Sequence, residues 1–197
     1  MSESERIRSF VAIDVAPPVL KALQELRAEL AGHKADVRWV RPEGLHATLK
    51  FLGYVDAPRL EKVHAALEAA VHTHAALRVR VQGLGVFPTL RRPRVLWVGL
   101  EGDGLAELAA SVDAALAPLG FERERRGFTP HITLGRVNSL RGWPRIEEDF
   151  KAHLADDFGD SDVSAVTIYQ STLGRDGAVY SPLWTIPLGR HKERSIA

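Results

Sequence analysis

One four-residue pattern occurs twice in this chain. His46-Ala47-Thr48-Leu49 and His131-Ile132-Thr133-Leu134 share the form His-x-Thr-Leu and stand 85 residues apart in a chain of 197. Each copy closely follows a turn former, Gly44 in the first case and Pro130 in the second, and continues into a strand-like stretch. On a β-strand, residues i and i+2 point to one face. Each copy therefore presents an imidazole beside a hydroxyl, with Leu49 and Leu134 turned the other way. A lobe interface that joins the two strands would gather two imidazoles and two hydroxyls around one cavity. A single His-x-Thr in a strand is usually structural, a buried ring satisfied by a neighbouring hydroxyl. Two copies, each followed by leucine and a basic residue within two positions (Lys50, Arg136), favour chemistry.

The rest of the chain alternates strand-like and helical stretches. Arg6 to Val15 reads as a partly buried strand. Pro17 and Pro18 suit the first turn of a helix carrying Leu20, Leu23, Leu26 and Leu30, which Gly32 ends. A short strand at Val37–Val40, a turn at Pro42–Gly44 and a strand at Leu45–Tyr54 follow. A helix from Pro58 to about Thr73 has Leu60, Val63, Leu67 and Val71 on one face. The second half rearranges the same plan: strands at Leu77–Val86 and Pro93–Leu100, and a helix capped by Asp103 that carries Leu105, Leu108, Val112 and Leu116. After the second motif come a short helix at Trp143–Leu154 and strands at Val163–Leu173 and Ala178–Ile186. Hairpin-like pairs interleaved with helices predict an α+β fold with antiparallel sheets. No Gly/Ser linker divides residues 1–197, so the expectation is one bilobal domain.

Composition narrows the partners. Lys plus Arg (26) nearly balance Asp plus Glu (25), which argues against a wholesale polycation for duplex nucleic acid and leaves room for a local basic cleft. With no cysteine there is no thiol nucleophile, disulfide or thiolate metal site. The start lacks a signal-peptide layout and no apolar run approaches a membrane span. A soluble, cytoplasmic monomer without membrane attachment is expected.

Two imidazoles and two hydroxyls suit attack on a phosphodiester without a metal or other cofactor. Histidine's ordinary pKa of about 6.5 lets one ring be neutral while the other is protonated. The neutral ring takes a proton from water and the protonated one gives a proton to the departing oxygen, each contributing on the order of 100- to 10,000-fold. The hydroxyls donate to the non-bridging oxygens. From the residues alone, which histidine plays which part stays open.

At this point the chain resembles the two-histidine phosphoesterase superfamily, in its RNA 2′,3′-cyclic phosphodiesterase (LigT-like, formerly 2′-5′ RNA ligase) branch. The resemblance rests on Arg8-Ser-Phe-Val-Ala-Ile13, Arg38-Trp-Val-Arg-Pro42, His46-Ala-Thr-Leu-Lys-Phe-Leu-Gly53, Arg94-Val-Leu-Trp-Val-Gly99 and Phe128-Thr-Pro-His-Ile-Thr-Leu-Gly-Arg136. It departs at Gly135, where alanine is frequent. It implies a bilobal α+β fold of two antiparallel sheets with flanking helices in pseudo-twofold arrangement around a groove. It also implies hydrolysis of RNA or nucleotide 2′,3′-cyclic phosphate ends to 2′-phosphomonoesters, with His46 as proton donor and His131 as proton acceptor. The biological role that the resemblance implies is RNA processing; 2′-5′ ligation as the useful direction and a non-catalytic nucleotide- or RNA-binding module of the same fold are the functional alternatives.

Thr48, Thr133 and Arg136 are the expected phosphate ligands. For Arg136, five residues after His131, strict alternation points to the wrong face unless the strand bulges near Gly135. Lys50 has the right parity by the same rule. Phe51, Trp39 and Phe128 are candidates to stack on a base, with Trp39 and Trp97 better read as core. The clusters Arg91–Arg94 and Arg123–Arg126 are loop charges that a passing RNA backbone could use. His64, Glu68 and His72, with His74, have helical metal-ligand spacing, but an exposed polar face is the better account. His33, His153 and His191 receive no function.

Overall fold

The helices form where apolar residues recur every three or four positions. In the computed structural model, which describes residues 6–125, 127–174 and 177–189, four α-helices pack against an antiparallel sheet. Helix α1 (Pro17–Ala31) opens with its two prolines and buries Val19, Leu23, Leu26 and Leu30. Helix α2 (Ala57–Val71) starts at Asp56, whose carboxylate accepts the Arg59 amide at 2.9 Å, and buries Leu60, Val63, Leu67 and Val71. Helix α3 (Leu105–Leu116) buries Leu105, Leu108, Val112 and Leu116 as its spacing predicts. Its expected cap is wrong by one residue. Gly104, not Asp103, holds the N-cap position with a left-handed φ of 82°, and no side chain caps the helix. Helix α4 (Trp143–Ala152) seats Trp143, Ile146 and Phe150 in the core. No helix among the described residues is long and apolar enough to cross a membrane.

The strands are β1 (Arg6–Ile13), β2 (Val37–Trp39), β3 (Ala47–Asp56), β4 (Leu77–Thr89), β5 (Arg92–Glu101), β6 (His131–Val137), β7 (Asp157–Val163), β8 (Ala165–Gly174) and β9 (Gly177–Pro187). They run in the order β7-β4-β5-β6-β3-β1-β8-β9, with β2 also paired to β6, and every one of these pairings is antiparallel. The two expected sheets are thus the two halves of one continuous sheet. Between them the ladder between β3 and β6 has a single rung, Ala47 opposite Ile132.

Strand β7 has no counterpart in the sequence reading. Its residues, Asp-Phe-Gly-Asp-Ser-Asp-Val, lack apolar alternation. It is a sheet edge held by its ladder to β4 and by cross-strand ion pairs, Arg78 with Asp160 at 2.8 Å and Arg80 with Asp157. The Ser161 hydroxyl, buried on this strand, accepts the Ala16 amide just before α1.

Candidate active site

The single rung sets the site. With Ala47 opposite Ile132 in antiparallel register, residue 46 neighbours residue 133 and residue 48 neighbours residue 131. Ala47 and Ile132 are buried on the core face. The two His–Thr pairs therefore share the opposite face, each imidazole beside the other copy's hydroxyl. Diagonal neighbours in such a ladder are roughly 7–8 Å apart at the backbone, a span that leaves room for a phosphate between two rings.

Both motif strands carry the same irregularity. On β1, Ala12 faces Thr48 but Val11 faces Lys50, so Leu49 is an extra residue in β3. On β5, Trp97 faces Thr133 but Leu96 faces Gly135, so Leu134 is an extra residue in β6. Each bulge falls on the leucine of His-x-Thr-Leu, and each switches the strand's parity. Position +5 from either histidine is thereby returned to the imidazole face, and position +4 is sent away from it.

The bulges decide three side chains. Arg136 and Phe51, both at +5, line a cavity of about 400 Å³ together with His46, Thr48 and Thr133. Lys50, at +4, does not. Its ammonium sits 2.5 Å from Asp113 on α3 and also donates to the Glu122 carbonyl, and its side chain is largely buried there. The parity rule without the bulge assigns Lys50 the favourable face and Arg136 the unfavourable one; the extra leucine reverses both. The Asp113 carboxyl is pushed up by burial, but the hydrogen bonds from Lys50 and the Glu124 amide and the charges of Lys50 and Arg123 more than offset this and hold it low.

The cavity is strongly cationic. Arg8, Arg38, Arg41 and Arg136 line it, and no Asp or Glu among the described residues does. Trp39 and Tyr180 complete its aromatic wall with Phe10 and Phe51. Trp39 packs against the core, as expected, and its ring also reaches the cavity wall. Trp97 departs from that expectation: it is half-buried, with its ring 6.0 Å from that of His131. Phe128 packs against the core and does not line the cavity.

The two imidazoles have different surroundings. His46 is 9% exposed and boxed by aromatic rings, stacked on Phe10 at 4.8 Å and Tyr169 at 5.3 Å, with Tyr180 edge-on at 5.2 Å. Burial lowers its pKa to about 4 against an opposing pull from the Asp14 carboxylate. Asp14 accepts the Tyr169 hydroxyl at 2.7 Å; burial first, and then this bond, push the Tyr169 phenol well above its ordinary value. His131 is half-buried on the same strand face as Thr133, at the edge of the site beyond the residues that line the cavity. Phe87 meets its ring edge-on at 5.1 Å. Its Nδ1 lies 2.7 Å from the Thr129 carbonyl. A carbonyl only accepts, so Nδ1 carries the proton and Nε2 of the neutral ring keeps its lone pair.

The remaining candidates lie elsewhere. Arg91, Arg92 and Arg94 are exposed at the β4–β5 hairpin, where Arg92 and Arg94 border a separate hollow of about 280 Å³. Arg123 reaches toward Asp113 and Arg125 pairs with Glu122; Arg126 and His191 lie outside the described residues. His64 stacks on Trp184 at 5.1 Å and His74 bonds the Ser111 hydroxyl, so the helical spacing of His64, Glu68 and His72 does not assemble a ligand set among the described residues. His33 bonds Asp149 at 2.5 Å, and His153 bonds Asp156 at 2.6 Å and Glu29 at 3.3 Å. Arg8, Arg38, Arg41 and Tyr180 are cavity residues that spacing from the histidines could not find, because they come from other strands and turns. The one available signal was Arg-x-x-Arg just ahead of the first motif.

Comparison with known proteins is consistent with this geometry. The profile of the family described as LigT like Phosphoesterase matches residues 13–97 and, again, residues 98–180, so that each match holds one motif. A curated relative from Archaeoglobus fulgidus, named RNA 2′,3′-cyclic phosphodiesterase, is 34% identical over 178 residues, covering 90% of this chain and 98% of the relative. The crystal structure of TT0787 of Thermus thermophilus superposes with a TM-score of 0.80 at 28% identity, covering 94% of this chain and all of that one. That of E. coli LigT complexed with 3′-AMP gives 0.72 at 26% identity, over 92% and 99% of the two chains.

Proposed function

The chain belongs to the LigT-like phosphoesterase family and is an enzyme of it, and from that premise we propose that it opens 2′,3′-cyclic phosphate ends of RNA or nucleotides to 2′-phosphomonoesters. The observation that carries this reading is the placement of two inequivalent imidazoles on paired strands beside a cavity lined by four arginines and, among the described residues, no carboxylate. Water attacks phosphorus, the bond from phosphorus to O3′ breaks, and the 2′ ester remains. His131 accepts the water proton at Nε2, the nitrogen left free by the Thr129 carbonyl. His46 delivers a proton to O3′. Thr48, Thr133 and Arg136 hold the non-bridging oxygens, where charge grows as the bond forms.

The enclosure of His46 bears directly on the donor role. At rest, burial keeps its ring neutral at pH 7. An anionic phosphate entering the box favours the charged ring, so substrate binding itself loads the donor. A ring charged against its surroundings gives up its proton readily. One chain carries both motifs, so the site needs no second subunit. All proton transfers are assigned to side chains, so turnover should survive exhaustive chelation.

The test is to incubate the protein with cyclic-ended RNA and identify the phosphate isomer formed. A 2′-phosphate is expected; an exclusive 3′-phosphate product would contradict the donor and acceptor assignment. With a 5′-hydroxyl in place of water as the nucleophile, the same ring opening would form a 2′-5′ linkage.

A further inference from the structure

The arginines that line the cavity outnumber what a single cyclic phosphate needs. A cyclic phosphodiester bears one formal negative charge, yet Arg8, Arg38 and Arg136 all line the cavity, and none of the described lining residues is a carboxylate. Two of these stand directly against each other: Arg38 on β2 is the register partner of Arg136 on β6. Like charges placed opposite on neighbouring strands are destabilising. Neither Arg38 nor Arg136 donates a hydrogen bond or forms an ion pair with any other described residue. Arg8 reaches the cavity from the other half of the sheet, on β1 two residues from Phe10, and one of its nitrogens is held by the Ser171 hydroxyl at 2.8 Å. Two halves of the sheet thus each send a guanidinium into the cavity beyond the one assigned to the reacting phosphate.

We infer that Arg38, with Arg8 across the cavity, binds a second phosphate, the one on O5′ of the nucleotide that bears the cyclic end. The inference rests on the phosphoesterase reading, and it names the substrate class: ends that carry a further phosphate, rather than a bare nucleoside cyclic phosphate. Arg136 neutralises the reacting group while its cross-strand partner takes the next one, which turns a repulsive pair into a two-phosphate clamp. Guanidinium forks suit this task because they meet phosphate oxygens in pairs.

The experiment is a calorimetric comparison of three product-like ligands: adenosine 2′-phosphate, adenosine 2′,5′-bisphosphate, and the dinucleotide ApA ending in a 2′-phosphate. In the wild-type protein the second phosphate should tighten binding by about 10- to 100-fold, the worth of a charge-assisted contact. In Arg38→Gln that ratio should collapse to about threefold or less, and Arg38→Lys should recover part of it. The salt dependence for the dinucleotide should also weaken in Arg38→Gln, by roughly 0.7 in the slope expected for one lost single-strand phosphate contact. Tighter binding of the dinucleotide assigns the subsite to an RNA chain, and tighter binding of the bisphosphate assigns it to mononucleotides. Equal affinity of all three ligands for the wild type, or an Arg38→Gln variant weakened by the same factor toward each, would overturn the proposal. Because binding is read without turnover, failure of cyclic-end hydrolysis would remove the phosphoesterase reading and leave the subsite result separately visible.

Discussion

The two motif strands begin from the same tetrapeptide and end as different chemical instruments. In both, the leucine is a bulge that restores the +5 position to the imidazole face. Beyond that shared backbone they diverge. The first ring is sealed among Phe10, Tyr169 and Tyr180 with its pKa drawn down to about 4, and its +5 residue is Phe51. The second ring stands at the edge with one nitrogen tied to a carbonyl, and its +5 residue is Arg136. Repetition supplies the geometry, and the neighbours supply the asymmetry that acid–base catalysis requires.

Removing either ring is the severest test of that division of labour. His46→Ala and His131→Ala should each lower kcat/KM on a nucleoside 2′,3′-cyclic phosphate by about 100- to 10,000-fold, with the circular dichroism of the wild type retained. Near-wild-type turnover by either variant would end the two-imidazole mechanism.

The asymmetry also has a stability signature. The His46 pKa falls from 6.5 in the unfolded chain to about 4 in the fold. Below 6.5 the unfolded state takes up the proton more readily, so the contribution is fully present above that pH and drains away as pH falls toward 4. It amounts to roughly 3 kcal/mol at most. Urea unfolding of wild type and His46→Gln at pH 7 and pH 4.5 should show a steeper acid loss in the wild type. Nuclear magnetic resonance of the His46 ring should report a low apo pKa that rises when adenosine 2′-phosphate binds.

The +5 positions sharpen the contrast. Arg136→Gln should cost about 10- to 100-fold in kcat/KM through a lost charge-assisted contact. Phe51, 63% exposed at the mouth, should act on binding instead. Phe51→Ala should raise KM roughly 5- to 100-fold for a base-bearing substrate, the range of one stacking contact, with a smaller change in kcat. Equal kcat losses in the two variants would blur the proposed division between phosphate and base.

The smallest effect belongs to the residue just after the first bulge. Lys50→Met should lower stability by about 1–3 kcal/mol, because it removes the closest partner of a mostly enclosed Asp113 and leaves it only the Glu124 amide and the more distant Arg123. Its measure is the urea midpoint.

The helices were legible almost to the residue, since amphipathic spacing is a local signal. Strand β7 was not, because it is an edge maintained by paired charges and a ladder that no apolar alternation announces. At the site, the histidines and threonines could be read from a repeated motif. The parity of Arg136 was legible only on the condition of a bulge near Gly135, which occurs at Leu134; that of Lys50 was not, because nothing in the residue types around Leu49 marks the first bulge. The arginines of β1, β2 and the turn after it reach the cavity only through the curl of the sheet, a tertiary fact with no sequence period. The local rule failed where the strand was irregular, and the irregularity lies at the site itself.

The lone Ala47–Ile132 rung has a mechanical consequence. Each half of the sheet is braced by long ladders of its own, whereas the span from one imidazole to the other is bridged by a single pairing of backbones. The distance between the imidazoles therefore depends on that one pairing and on the packing of α2 against α3, and not on a long shared ladder.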